Sequence, residues 1–326
     1  MTGKGDTVRG TREMSMPLAP DWRLLPTAVR AVVIVALTVA CVATPGFFSL
    51  PNILSLLTTV SFMGCVAVGM TLITISGNIM SFSLGATAGA AAMVFIVAVN
   101  IGGIGIGLIA ALAVAALVSA AQGFAVGWVR ANPIIVSIAA VALIYGTAEI
   151  FTRHSSIYFK PGTGIEILRG KLGGVPLEFV VLLCVTAAGQ FILYLTRFGR
   201  NLYMMGSSFR AAEAAGVKTW RTVTGAYLWA GAFTGLAGVM LAIRYDGANM
   251  DYGVGYEYDA IAAVLVGGTL MKGGHGSALR TLAGAMIIAI VQAMLLLRGF
   301  RQEWQYLFTG LIVFAVILLH SSGERR

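Results

Sequence analysis

The residue types that usually carry chemistry are few in this 326-residue chain and are not grouped for it. His154, His275 and His320 lie far apart with no carboxylate at ligand spacing, and neither HExxH nor GxSxG occurs, so a metalloprotease or serine hydrolase centre is not encoded. Cys41, Cys65 and Cys184 are odd in number, widely spaced and set in apolar runs. They read as three small buried hydrophobes rather than as a disulfide or metal pair. A phosphate loop is missing too, because the Gly3-Lys4-Gly5 and Gly170-Lys171-Leu172 stretches lack the upstream glycine and the hydroxyl residue. Gly253-Val254-Gly255 precedes no strand-helix unit and is no dinucleotide fingerprint. No catalytic, cofactor-binding or metal-ligating set is therefore expected, nor is ATP hydrolysis by this chain itself.

The remaining polar chemistry is embedded in apolar sequence. Asn78, Ser81 and Ser83 interrupt one apolar pattern, Tyr145 and Glu149 lie one helical turn apart in another, and Gln122 and Gln292 sit within apolar runs. Neutral hydroxyls and amides suit an uncharged, hydroxyl-rich cargo better than an ion, although such groups also hydrogen-bond between helices. Glu149 is read either as an interfacial residue or as one facing a cavity. Asn78, Ser81, Ser83, Tyr145 and Glu149 are the candidate pathway residues.

The elements that must position them are set by composition. Hydrophobic residues make up 58 % and charged residues 11 %, where soluble domains carry roughly 25 % charged residues. A membrane helix needs about 20 apolar residues, and ten segments approach this: 24–44, 53–75, 83–99, 104–127, 133–152, 177–196, 222–243, 257–271, 277–297 and 304–320. The eighth covers only about 22 Å and starts beside Glu257 and Asp259, so it reads as a broken or re-entrant helix. The expected fold is an all-α polytopic membrane protein of about ten transmembrane helices, one of them short. Residues 1–23 are expected to be a disordered cytoplasmic tail, 24–320 the membrane domain and 321–326 a second cytoplasmic tail.

Charge placement orients this bundle. With both termini in the cytoplasm, 15 of the 22 Lys and Arg fall on the cytoplasmic side and 7 on the other, the direction that membrane insertion favours. The net charge of +9 thus reports topology and not a nucleic-acid partner. Glycines four apart, Gly85 and Gly89, Gly103 and Gly107, Gly123 and Gly127, and Gly231 and Gly235, are expected to share helical faces where backbones approach closely.

Three stretches do not belong in lipid. In the cytoplasmic loop 196–222, residues 210–215 form a short run of helix formers stopped by Gly216; it is either a membrane-surface helix or a docking element. The outer loop 152–175 is glycine-rich and irregular, and reads either as a solvated loop or as a face toward a soluble partner outside. Residues 244–259 pack Asp246, Asp251, Glu257 and Asp259 into what reads as an outer lip that grips a carrier protein or lines an entrance.

The C-terminal third resembles a known family. In residues 253–276, Gly255, Tyr256, Glu257, Asp259, Gly267, Gly268, Thr269, Gly273, Gly274 and Gly276 match the signature of ribose-type sugar permeases of bacterial ATP-binding-cassette importers. Residues 45–57 and 67–77 look like the opening spans of that family. Residues 206–217 resemble the segment that docks on the cytoplasmic ATPase, which implies that role for Gly206, Arg210, Ala211, Ala212, Glu213 and Gly216. There are departures. Gly77 to Gly85 is one residue longer than the family turn and lacks its Asp, Ser208 and Ala215 replace Asn and Ser, and Tyr145-Gly146 stands where an Arg-Gly pair is common. They bear on the cargo more than on transport.

The resemblance implies a permease subunit in the bacterial inner membrane that moves a monosaccharide, a ribose-like pentose, a hexose or a related polyol. Its implied partners are an ATP-binding-cassette ATPase subunit, a periplasmic sugar-binding protein, a second permease copy or paralogue, and the lipid bilayer. A related permease for branched-chain amino acids, nucleosides or a signalling furanose is the alternative, and a non-transporting scaffold a more distant one. A carboxylate-bearing cargo would want a fixed cation in the bundle. No Lys or Arg lies deep in an expected span, which favours a neutral sugar.

Overall fold

Pro51 opens the first described membrane helix, α1 (Leu50–Ile75), in the first-turn position where its missing N–H costs no hydrogen bond. The structure is a computed structural model that describes residues 41–324 apart from 79 and 154. The expected tail 1–23, most of the expected first span 24–44 and residues 325–326 lie outside these. Residues 46–326 form one unit, whose elements follow. From Val60 to Ile75 every residue of α1 is buried, so this helix, apolar all round, runs through the centre of the bundle.

The next element, α2 (Leu84–Trp128), has 45 residues, about 68 Å if straight and twice the bilayer core. It is not straight. Gly103 has φ 84° and ψ 176°, a conformation reserved for glycine, and there the chain doubles back. Gly107 packs on the backbone of Phe95, and Ser83 hydrogen-bonds Gln122, contacts only a hairpin of two arms allows. The two sequence segments 83–99 and 104–127 are these arms. The spacing of Gly103 and Gly107 predicts one shared helical face; instead Gly103 is the hinge and Gly107 the close contact between arms.

The helix α3 (Pro133–Thr152) starts at the Asn132 cap, whose side chain accepts from Ile134 N at 2.9 Å. Its described buried residues are Ser137, Ala140 and Ile144, while Ile135, Leu143, Ile150 and Phe151 face outward, as a lipid-facing helix requires. The following loop holds β1 (Ile157–Tyr158), a 3-10 turn (Ile165–Arg169), β2 (Lys171–Leu172) and β3 (Val175–Pro176). Then come α4 (Leu177–Leu195), α5 (Arg197–Ser207), α6 (Phe209–Ala214) and α7 (Thr219–Tyr245). After β4 (Gly247–Ala248) and a 3-10 turn (Met250–Gly253), α8 (Tyr256–Val266), α9 (Ala278–Leu297) and α10 (Gln302–Glu324) complete the chain.

Small residues let α7 lie in the fork of the hairpin. Gly231 and Gly235 meet Ala115 of the second arm, Gly238 meets Ala88 of the first, and Gly123 and Gly127 receive Tyr227 and Trp220. With Gly85 and Gly89 against the backbone of Gly253 and Met250, three of the four expected glycine pairs form close backbone contacts, the attraction available where lipid supplies no hydrophobic drive. Outside the helices, β1 pairs antiparallel with β4 and β2 with β3. Arg169 donates to Ile243 O at 3.0 Å and pairs with Asp246. The two polar stretches expected on the outer side, separate in the sequence, are therefore stitched together. One cysteine departs from expectation: Cys65 is buried, but Cys184 is exposed on α4.

Six described helices, α1, α2, α3, α4, α7 and α9, are long and apolar enough to cross a membrane, and α2 contributes two arms. The expected eighth span is split. Its helical part, α8, has 11 residues, about 16 Å, and the chain from Gly267 to Gly276 continues it without helix.

Candidate functional site

Two clusters gather the residues singled out by sequence. The first surrounds α6. Ser208 caps it, its Oγ accepting from Ala211 N at 3.3 Å. The helix stops where Gly216 takes φ +79°, with Gly216 N donating to Glu213 O at 2.9 Å and Val217 N to Ala212 O at 3.0 Å. Ala212 is buried, anchoring the helix, while Arg210, Ala211, Glu213 and Gly216 are exposed. Arg130, just beyond the second arm of α2, pairs with Glu213 at 2.9 Å.

Gly206, at the end of α5, touches the last carbonyl of α1 and the Gly273–Gly274 turn so closely that a Cβ would overlap Ile75 O and Gly274 N. Gly274 N donates to Ile75 O at 3.0 Å, and both turn glycines have positive φ, 85° and 74°. Tyr203 OH donates to Gly276 O at 2.8 Å. Desolvation pushes the Tyr203 phenol up to about 12, so it remains a donor across the physiological range. The two motifs 206–217 and 267–276, far apart in sequence, thus share one platform. The signal available is their common glycine density, for which sequence offers no partner assignment.

Asn78 belongs to this platform. Its Nδ2 donates to Ser76 Oγ at 2.8 Å, and it lines a cleft of about 390 Å³ with Gly77, Arg130, Ser207, Phe209 and Lys272. A second, more open cleft of about 600 Å³ lies beside it, bordered by Asn201, Gly216, Lys218 and Arg221.

The second cluster is the meeting of two helix starts. Ser81 and Ser83 are fully buried: their hydroxyls lie 3.0 Å apart, Ser81 N donates to Met70 Sδ at 3.3 Å, and Ser83 Oγ donates to Gln122 Oε1 at 2.6 Å. Two residues on, Gly85 in the first turn of α2 lies against the Glu257 carboxylate in the first turn of α8. Gly255, with φ +94°, turns the chain into α8, and its N–H donates to Glu257 Oε1 at 3.4 Å. Glu257 Oε2 is buried with no hydrogen-bond partner among the described residues. Asp259 is 9 % exposed and accepts from Gln292 Nε2 at 2.9 Å. Helix N-termini carry partial positive charge, so two such ends hold one carboxylate between them. Tyr145 reaches the same place: its hydroxyl lies 3.5 Å from Met250 O, within electrostatic reach of Glu257. Glu149 is one turn further along α3 and half-buried.

The expected outer acidic lip is accordingly divided. Asp246 and Asp251 are exposed in the loop, whereas Glu257 and Asp259 have turned inward on α8. Periodicity does not reveal this, because the inward turn is made by the 3-10 segment and by Gly255. At the other end of α8, Gly267 packs on Arg280 O, Gly268 has φ +79°, and Thr269 N closes the helix on Val264 O at 3.1 Å. Thr269 is buried and Gly276 packs against it, which carries the chain directly to the Gly206 platform.

A family described as the permease component of a branched-chain amino acid transport system matches residues 52–317. The chain belongs to this permease family. Among curated relatives, the permease is 29 % identical to the ribose import permease of Escherichia coli K12 over 89 % of its own length and 92 % of the relative. It is 31 % identical to an inner membrane ABC transporter permease of the same organism over 84 % and 85 %. With a galactose/methyl galactoside import permease of Haemophilus influenzae it shares 26 % over 66 % of each chain. No solved structure matches the permease.

Proposed function

We propose that the permease translocates a neutral monosaccharide across the inner membrane, as one subunit of an importer that also holds an ATPase, a secreted binding protein and a second permease. The observation that carries this is the near full-length similarity to a ribose import permease, with a galactose/methyl galactoside import permease matched over 66 % of each chain, joined to a described interior whose charged groups are carboxylates. Asp259 and the Oε2 atom of the half-buried Glu257 are buried among α8, α9 and α2, where the described neighbours supply no cation to hold a cargo carboxylate. Carboxylates accept hydrogen bonds from sugar hydroxyls, and they repel the carboxylate of an amino acid.

In this reading the pathway skirts the junction of α2 and α8, past Tyr145 and Glu257. Residues 206–216 dock the ATPase, and both termini lie in the cytoplasm. Ten crossings are reached by adding the 24–44 span, α10 and the broken 257–276 passage to the seven arms of the six long helices. The broken passage is tolerated because protein surrounds it. Cells deleted for the gene should lose growth on the cognate sugar as sole carbon source. The wild-type gene should restore it, and Glu257→Gln should restore it only partly. Unchanged growth of the deletion strain on every pentose and hexose tried would overturn the proposal.

A further inference from the structure

The docking helix is held to the α2 hairpin by one exposed side chain laid across a gap. The second arm of α2 ends at Trp128, and two residues on Arg130 takes φ 58°, a left-handed conformation unusual for a non-glycine residue. That turn sends its side chain to α6. The guanidinium lies 2.9 Å from Glu213 Oε1 and 5.5 Å from the centre of the Phe209 ring. Phe209 and Glu213 are four residues apart, hence on one face of the helix. Arg130 therefore sits between two side chains one turn apart.

Beneath it runs the 390 Å³ cleft, with Val126, Gly127 and Ala131 on the hairpin wall and Met205, Ser208 and Phe209 on the other. The side chains of Arg130 and Glu213 are 70 % and 43 % exposed, and a pair so exposed adds little to folding stability. What it does is join two bodies. One is the α5–α6 platform, which also holds the Gly273–Gly274 turn. The other is the hairpin, whose contacts toward the same open end include Ser83 with Gln122 and Gly85 with Glu257.

We propose that Arg130 is a positioning residue for transport, coupling movement of the docking helix to the α2 hairpin and, through it, to the α2–α8 junction. The proposal rests on the reading of residues 206–216 as the ATPase-docking segment. A hairpin clamped at its inner end follows α6, and an unclamped one stays behind while the cleft widens.

The test uses the complete importer, permease with its ATPase and binding protein, in proteoliposomes. Arg130→Ala should retain the ATPase on co-purification and hydrolyse ATP, while uptake per ATP falls roughly 2- to 30-fold, the range expected for loss of a coupling contact. Uptake is read with whichever of labelled ribose, galactose or leucine the unaltered importer carries. The charge-swapped pair Arg130→Glu with Glu213→Arg should recover much of the loss, which a purely structural defect would not. A cargo-independent readout is the distance between spin labels at Val129→Cys and Met204→Cys, two exposed positions next in sequence to the lining residues Arg130 and Met205. It should be the same with and without bound ATP when Arg130 is present, and should change on ATP binding in Arg130→Ala.

Normal uptake per ATP in Arg130→Ala, or a label distance that responds to ATP identically in both proteins, would overturn the proposal. A Gly216→Val control separates the two layers. If that variant keeps its ATPase, the docking assignment is wrong and the Arg130 proposal falls with it. If it loses the ATPase while Arg130→Ala is silent, only the coupling role is refuted.

Discussion

At the scale of single residues, some glycines touch backbone, some touch only side chains and some touch nothing. Gly206 meets Ile75 O and Gly274 N, so a methyl group there must push apart α5, α1 and the turn after α8. Gly206→Ala should destabilise the purified permease by about 1–3 kcal/mol, as overpacking does, and lower its thermal midpoint in detergent. Gly146, in the middle of α3, has open space within 4 Å of where a Cβ would stand. Gly146→Ala should be neutral or stabilising by up to about 1 kcal/mol through helix propensity alone. Equal midpoints for the two variants would show that the platform contact is not tight. From sequence both residues are simply Gly among apolar neighbours, and only the neighbours brought by the fold tell them apart.

At the scale of elements, the α2 hairpin decides the topology. Apolar length gives two segments with a gap at residues 100–103, and the structure realises that gap as one hinge residue, Gly103, with little loop. A side chain at this φ and ψ costs about 1–3 kcal/mol, although open space surrounds the position. Gly103→Ala should therefore weaken the hairpin without any clash, seen as a lower thermal midpoint. Cysteines placed at Gly105 and at Ala131, in a background lacking reactive thiols, should label from opposite sides of the membrane. Labelling from the same side would rule out the second arm as a crossing. The α6 stop at Gly216 is legible in sequence because glycine at a helix end has a local physical cause. The convergence of α2 and α8 is not, since it depends on long-range packing of Gly85 on Glu257, 172 positions apart in sequence.

At the scale of the whole molecule, composition and motif carry the membrane class and the family, while the geometry adds the connections. Proximity along the chain groups Asn78 with Ser81 and Ser83, yet it lies on the platform cleft while they are buried beside Gln122. The same proximity groups Glu257 and Asp259 with Asp246 and Asp251, yet two face inward and two outward. Both regroupings arise where the chain bends at irregular backbone, which periodicity does not register. They connect the Gly206 platform to the α2–α8 junction through two routes, the hairpin and the Gly267–Gly276 segment.

The central claim, that this machinery serves a neutral monosaccharide, is tested most directly by uptake. The assembled importer in proteoliposomes would be given equal concentrations of labelled ribose, galactose and leucine with ATP inside the compartment that holds the ATPase. ATP-dependent accumulation of a sugar and none of leucine is the expected result; accumulation of leucine with neither sugar would contradict it.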